Sequence, residues 1–285
     1  MKILVTGASG NVGQYVVKSL IALGAQVVVA GTNVERLRQT FGEDVTAVLF
    51  DFTDSSTYED ALHEVDRVFL MRPPHLGKPE DLYPFIDKMR DKNIKLVSFL
   101  SLMGVEKNTI PPHHKIEKYI EQSGLPFAHI RPGFFMQNIS GIHAEEIRTM
   151  DEILIPAGNS QTSFIDAADI GEAAAILLQN PETYKNTAHT ITGPEALNYQ
   201  EVATILSEAT GRTIRYNRPS FLKYRKHYIK VRKLEPGYVN VTIALYLMTR
   251  LGTAKAITNT FEQLTGRKAK KFKTFAVENL AVFCK

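Results

Sequence analysis

The sequence predicts an α/β fold, a mostly parallel sheet with helices on both faces, and three observations predict it. Short apolar runs alternate with helix-patterned segments through the first 133 residues. Those runs are apolar nearly throughout, as strands covered on both faces are. A glycine turn, Gly7, Gly10 and Gly13, stands directly behind the first run and opens a patterned helix.

Residues 3–6 form the first apolar run, and Val12, Val16, Val17, Leu20 and Leu23 then recur at helical spacing until Gly24. Residues 27–30 are a second, β-branched run. A short helix over 34–41, a strand over 45–50, a helix over 57–63 and a strand over 68–71 follow. Arg72-Pro73-Pro74 closes that strand. Residues 79–91 place Leu82, Phe85, Ile86 and Met89 on one helical face, and residues 94–100 read as the fifth strand. A helix over 113–122 is stopped by Gly124, and 127–130 is the sixth strand. The predicted order is 3-2-1-4-5-6.

From about residue 134 the rhythm changes. A helix over 136–150, a short strand at 153–155 and an apolar helix over 170–178 come first, with Asp166 and Asp169 as its caps. A late strand at 187–191 and a helix over 199–209 follow. Helices near 220–234, 238–251 and 275–283 end the chain, punctuated by Pro236-Gly237, Gly252 and Gly266. The division expected is 1–133, a nucleotide-binding core, and 134–285. The second part returns partly to the core and forms a smaller, mostly helical lobe with a basic end.

Of 285 residues, 44% are hydrophobic and 22% charged, ordinary values for a globular chain. One cysteine, Cys284, excludes a disulfide framework and a Cys-based zinc or iron–sulfur site, and fits a reducing compartment. No apolar run nears the roughly 18 residues of a membrane span, and residues 3–6 are too short for a signal peptide. A cytoplasmic protein with no membrane partner is expected. Charge is uneven: residues 1–211 carry net −10 and residues 212–285 net +14. That basic third reads as a solvated face against an acidic body, as a field for anionic ligands, less well as a nucleic-acid contact, and least well as a membrane-surface contact.

The glycine turn points to a dinucleotide. Gly7 permits the tight turn, Gly10 lets the backbone approach a pyrophosphate, and Gly13 lets helix and strand pack closely. The helix N-terminus offers unpaired N–H donors to the phosphates. This makes the core Rossmann-type, three layers in α/β/α order. An acid at the end of the second strand would select NAD, and a base would receive a 2′-phosphate. Val28-Val29-Ala30-Gly31-Thr32-Asn33 has no acid before Glu35 and no base before Arg36. Thr32, Asn33 and Arg36 can together hold a 2′-phosphate, so NADP(H) is preferred and NAD(H) stays open. After the third strand, Asp51 can accept from the adenine amino group while Phe52 walls the ring. The other reading of Asp51 is a cap for the turn over 53–56.

Further motifs join this turn: Ser98-Phe99-Leu100-Ser101-Leu102-Met103-Gly104-Val105, His113-His114-Lys115-Ile116-Glu117, Ile130-Arg131-Pro132-Gly133-Phe134-Phe135-Met136-Gln137-Asn138 and Phe164-Ile165-Asp166-Ala167-Ala168-Asp169-Ile170-Gly171. Together they resemble the NmrA-like atypical short-chain dehydrogenases/reductases. That family includes bacterial NADPH:quinone reductases and triphenylmethane reductases alongside non-catalytic redox sensors. The likeness spans essentially the whole chain and weakens after about residue 215. It implies a phosphate loop on Gly7, Ser9, Gly10, Asn11, Val12 and Gly13, and ribose reading near Thr32 and Asn33, where many NADP-binding relatives carry Arg. Asp51 and Phe52 would lie on the adenine side. Met71, Arg72, Pro73, Phe99 and Leu100 would run under the nicotinamide half, with Pro132, Gly133 and Phe134 closing over it.

Short-chain dehydrogenases generally carry a Tyr-x-x-x-Lys pair; here His113 and Glu117 stand in its place, on one helix face. His113, with an ordinary pKa near 6.5, can serve as an acid oriented by Glu117, or can merely cap the helix. Ser101, at the end of the fifth strand, is a second candidate or a turn cap. A metal on His113, His114 and His129 is not expected, because adjacent helical histidines diverge by about 100°. Hydride transfer to a quinone-like or aromatic electrophile needs little such apparatus beyond stacking and orientation. Met71, Phe134, Phe135, Met136, Phe221, Tyr224 and Tyr238 are candidates for an apolar pocket wall. The leading reading is therefore an NAD(P)H-dependent reductase of a small aromatic or quinoid acceptor. Its rival is an NAD(P)-binding sensor acting through a protein partner; nucleotide-sugar epimerisation would need the missing Tyr and Lys.

Overall fold

The computed structural model describes residues 1–285, which divide into two compact units. The first comprises Met1–Pro132, Ala167–Ile191 and Thr260–Arg267. In chain order it opens with β1 (Lys2–Thr6), α1 (Gly13–Ala22), β2 (Gln26–Gly31), α2 (Val34–Phe41), β3 (Val45–Leu49) and α3 (Tyr58–Ala61). Next come β4 (Arg67–Met71), α4 (Tyr83–Asp91), β5 (Leu96–Leu100), α5 (Pro112–Gln122) and β6 (Ala128–Pro132).

The sheet runs β3-β2-β1-β4-β5-β6, the order expected, and strand Thr187–Ile191 adds a seventh beside β6. Every neighbouring pair is parallel. The result is a Rossmann-like α/β fold. Its strands are apolar because both faces are covered: Ile3, Leu4, Val5, Val68, Phe69 and Leu70 are wholly buried. Helix Ala167–Gln179 covers one face and lies close on α1. A Cβ at Gly171 would stand 2.5 Å from Tyr15 Cβ, so only glycine permits the approach. Asp169, expected to cap this helix, is wholly buried, and its carboxylate accepts from Arg267 (2.7 Å).

The second unit comprises Gly133–Asp166, Thr192–Asn259 and Lys268–Lys285. Strand Gln161–Ile165 pairs antiparallel with Ala196–Asn198 and parallel with Phe134–Phe135. The helix expected over 136–150 is broken into Gln137–Ser140 and Ala144–Met150. At Gly141 the backbone turns out of helical geometry (φ −101°, ψ −100°). The helix expected near 275–283 begins at Phe272 and is interrupted at Asn279.

A buried aromatic and polar cluster forms this unit's centre. The two nitrogens of His143 each lie 2.6 Å from a phenol, Nδ1 from Tyr228 and Nε2 from Tyr246. Tyr228 donates to Glu146 (3.3 Å), which is held by Arg232 (2.7 Å) and His227 (2.8 Å). Burial opposes the Glu146 charge, but these partners outweigh it and hold its carboxyl below the usual range. The basic C-terminal third is thus partly neutralised at home: Arg212 pairs with Asp151, Lys273 with Glu208 and Arg232 with Glu146.

Candidate active site

The glycine turn joins β1 to α1. Gly7 has φ +62°, a conformation only glycine holds cheaply, and a Cβ there would also strike Met71 Sδ at 2.6 Å. Gly10 N–H donates back to Gly7 O (2.9 Å), and a Cβ at Gly13 would stand 2.2 Å from the same oxygen. Below the turn, Thr6 Oγ1 donates to Phe69 O (3.1 Å) and accepts from Met71 N–H (3.0 Å), fastening β1 to β4. Thr6 escaped the sequence reading; a hydroxyl ending an apolar strand is the signal that marks it.

At the start of α1, Val12 is the N-cap and no side chain caps the first turn. Of the four N–H donors at a helix start, those of Gln14 and Tyr15 bond Gly10 O (3.3 Å) and Val12 O (2.9 Å). This leaves those of Val12 and Gly13, and Ser9 and Asn11 beside them are exposed. The cradle and the uncapped turn fit a pyrophosphate.

At the end of β2, Thr32, Asn33 and Arg36 are all exposed. Asn33 Oδ1 accepts from Arg36 N–H (2.9 Å), so that oxygen caps α2 and its amide remains for a ligand. Asp51 Oδ1 accepts from Thr53 N–H (2.8 Å) and its hydroxyl (2.7 Å), which hold the carboxyl below its usual range. The capping role therefore exists, and it leaves Oδ2 for a further donor. Phe52 turns its ring into the core, edge-on to Phe50 with centroids 4.7 Å apart, because the apolar cluster with Tyr58 and Phe85 covers it there.

Three buried polar atoms at the C-terminal ends of β4 and β5 and the start of α5 have no partner: Arg72 Nε, Ser101 Oγ and His113 Nδ1. Buried polar groups are otherwise almost always paired, so these orphans fit a polar ligand. Arg72 Nη1 donates to Pro73 O (3.2 Å) and to Leu76 O. The His113 ring lies 6.0 Å from Phe99 in a stacked geometry. Burial, then the Arg72 charge, push its pKa down to about 4. His113 is neutral at pH 7.

Glu117 does not orient it. Its carboxylate takes a two-pronged bond from Arg131, Nε to Oε1 (3.0 Å) and Nη2 to Oε2 (2.6 Å). A buried carboxylate is stable only with such a partner, and Arg131 on β6 supplies it. Nor does His113 cap α5, whose N-cap is Pro111. His114 Nδ1 meets Val105 O (2.9 Å), while His129 faces Glu121 at 3.5 Å. The three histidines do not converge. Glu117, Glu121 and His129 do bring ligand atoms within 4.8 Å of one another. Arg131 and Lys118 already neutralise those two carboxylates.

Pro132, ending β6, accepts from Met103 N–H (3.0 Å). In the second unit, a Cβ at Gly133 would stand 2.7 Å from Ser163 O, and the Phe134 ring is 6.5 Å from that of Tyr246. Of the apolar wall candidates, Met136 and Tyr224 are buried in that unit's core, and Phe221 lies under the Arg250 guanidinium (4.5 Å). Phe135 is half-buried and Tyr238 exposed.

A family model described as the NmrA-like family matches residues 1–280. The chain is 33% identical to Prestalk A differentiation protein A of Dictyostelium discoideum, over 99% of this chain and 93% of that protein. It is 28% identical to an NAD(P)H azoreductase of Xenophilus azovorans, over 99% of each. Among solved structures, an NADPH-dependent quinone oxidoreductase from Escherichia coli, complexed with NADPH, superposes with a TM-score of 0.89. That pair is 19% identical, covers 98% of this chain and 99% of the other, and attests the shared fold. With a family model matched nearly end to end and a full-length relative at 33% identity, the chain belongs to the NmrA-like family.

Proposed function

We propose that this protein is an NAD(P)H-dependent reductase that delivers hydride to a small quinone-like or aromatic electrophile, with NADP(H) its preferred cofactor. The observation that carries the reading is the glycine cradle facing an uncapped helix start. The azoreductase relative is consistent with it. Gly7, Ser9, Gly10, Asn11, Val12 and Gly13 hold the pyrophosphate, and Thr32, Asn33 and Arg36 hold the 2′-phosphate. Asp51 Oδ2 accepts from the adenine amino group, beside the backbone of Phe52. Met71, Arg72, Pro73, Ser101 and Pro132 lie on the nicotinamide side, while the Phe99 ring is wholly buried in the core and supports them from within. When bound, the reduced nicotinamide supplies a hydride. The chain's own part is to hold the cofactor and keep the site dry enough for transfer.

The one proton that completes the reduction comes from water. His113 is neutral at pH 7 and a poor acid, and Glu117 is committed to Arg131. His113→Gln should therefore keep turnover within about tenfold, since loss of a true general acid costs roughly 10²–10⁴-fold. The wild-type pH profile should show no essential group titrating near 6.5. A hundredfold fall in turnover with cofactor binding intact would instead make His113 the proton donor.

Cofactor preference is testable at one exposed position. Thr32→Asp sets a negative charge where the 2′-phosphate would lie, and the NADPH-to-NADH affinity ratio should drop about tenfold or more, roughly 1.4 kcal/mol per decade. Titration calorimetry with both reduced cofactors reads it, and an unchanged ratio refutes the assignment. The reaction itself is tested by NADPH oxidation against a panel of quinones, azo dyes and triarylmethane dyes. Tight binding without oxidation by any of them would defeat the reductase reading.

A further inference from the structure

Helix Pro236–Arg250 has no charged residue between Glu235 and Arg250 and is apolar nearly all round. A helix of that kind is normally buried on every side. Here only one side is covered. Val239, Tyr246 and Thr249 face the second unit's core, while Val241, Ala244, Leu245, Leu247, Met248 and Leu251 face solvent. Val241 is 59% exposed and Leu251 is 70% exposed. A contiguous apolar face of this kind marks an interaction surface.

The surroundings indicate what covers it. Residues 212–259 hold eleven Lys and Arg against one acid, Glu235. Helix Phe221–Lys226 runs along one edge of the apolar face: Arg225 Nε donates to Asn240 Oδ1 (3.0 Å), and Tyr224 shares a hydrogen bond with Thr242 (2.9 Å). It carries Lys223, Arg225 and Lys226, with Lys230 and Lys233 just beyond, all exposed. The ion pairs of this unit use Arg212, Arg232, Lys270, Lys273 and Lys285 instead. Leu222, 81% exposed, projects among these cations. A second copy would set cation against cation across the contact. A surface of anionic headgroups over acyl chains matches both parts.

We infer that the outward face of helix Pro236–Arg250, with the basic helix beside it, docks onto an anionic lipid bilayer as a peripheral contact. No helix is long and apolar enough to cross one. The expectation of no membrane partner rests on the absence of a spanning segment; the uncovered face exists only once the chain is folded. Apolar insertion and attraction of Lys and Arg to anionic lipid act together in such contacts.

Co-sedimentation with vesicles tests this without reference to the reductase reading. Binding to phosphatidylcholine vesicles containing phosphatidylserine should exceed binding to phosphatidylcholine alone at least tenfold, and should weaken in high salt. Val241→Asp with Met248→Asp should lose most of it, as should Lys226→Glu with Lys230→Glu. Circular dichroism and thermal unfolding establish that each variant is folded. Equal binding to both vesicle types, or folded variants that bind like wild type, would overturn the proposal. So would a dimer in sedimentation velocity that Val241→Asp with Met248→Asp dissociates, since a second copy would then cover the face.

Discussion

Gly10→Val should leave the protein folded and weaken NADPH binding by tenfold or more, about 1.4 kcal/mol per decade. The three glycines of the turn fail for different reasons, and this one isolates the ligand. At Gly13 a Cβ would stand 2.2 Å from Gly7 O and 2.9 Å from Ala8 Cα, so substitution there forces helix and strand apart. At Gly7 the positive φ and the Met71 side chain both object. At Gly10 the nearest atom is Gly7 O at 3.1 Å, which a shift of a few tenths of an ångström relieves. The branched carbons of valine then stand over the turn, where the pyrophosphate of the proposed cofactor would approach the backbone. Calorimetric titration with NADPH, beside thermal unfolding of the same sample, separates lost binding from lost fold. Undiminished affinity in a folded variant would remove the turn from the cofactor site.

Most of the core is legible in the sequence because its physics is local. An apolar run such as residues 3–6 has no stable place except between two helical layers, and the glycine turn fixes where strand passes to helix. Alternation alone fits several parallel orders; the 3-2-1-4-5-6 order is the one that goes with a dinucleotide-binding turn behind the first strand. What is not legible depends on partners distant in sequence. Glu117 lies one helical turn from His113, so spacing alone pairs the two; Arg131, fourteen residues on, takes the carboxylate because β6 runs beside β5, the strand that leads into α5. Phe52 reads as a wall for adenine until Phe50, Tyr58 and Phe85 are seen to close around it. Tyr224 and Tyr228 look like one face of a basic helix, yet both belong to a buried cluster completed by His143, Glu146 and Tyr246. Periodicity places each of these on a face. It does not say what that face meets.

Lowering the pH from 6.5 should destabilise the protein steeply, through three buried histidines. Burial is the main cause in each: it holds His113 down to about 4, His129 to about 3 and His143 to about 3. Arg72 adds to the effect at His113, whereas Glu121 and Glu146 oppose it at His129 and His143 without prevailing. In the unfolded chain all three bind protons near 6.5. Their folded pKa values are depressed, so below 6.5 unfolding takes up protons that the folded state excludes, and stability falls as pH falls. Each histidine contributes about 1.4 kcal/mol per pH unit in that interval, so three together contribute about 4. Paired carboxylates such as Glu146 lose their contribution at lower pH, as their own protonation begins, and the window from 6.5 to about 4.5 therefore reports mainly on the histidines. Urea unfolding across that window should give a steep positive slope of stability against pH. His143→Gln, compared with wild type, should reduce the slope by about one proton, whatever it does to stability at neutral pH. A flat dependence down to about pH 4.5 would mean that these imidazoles are charged, or reach water, in the folded protein.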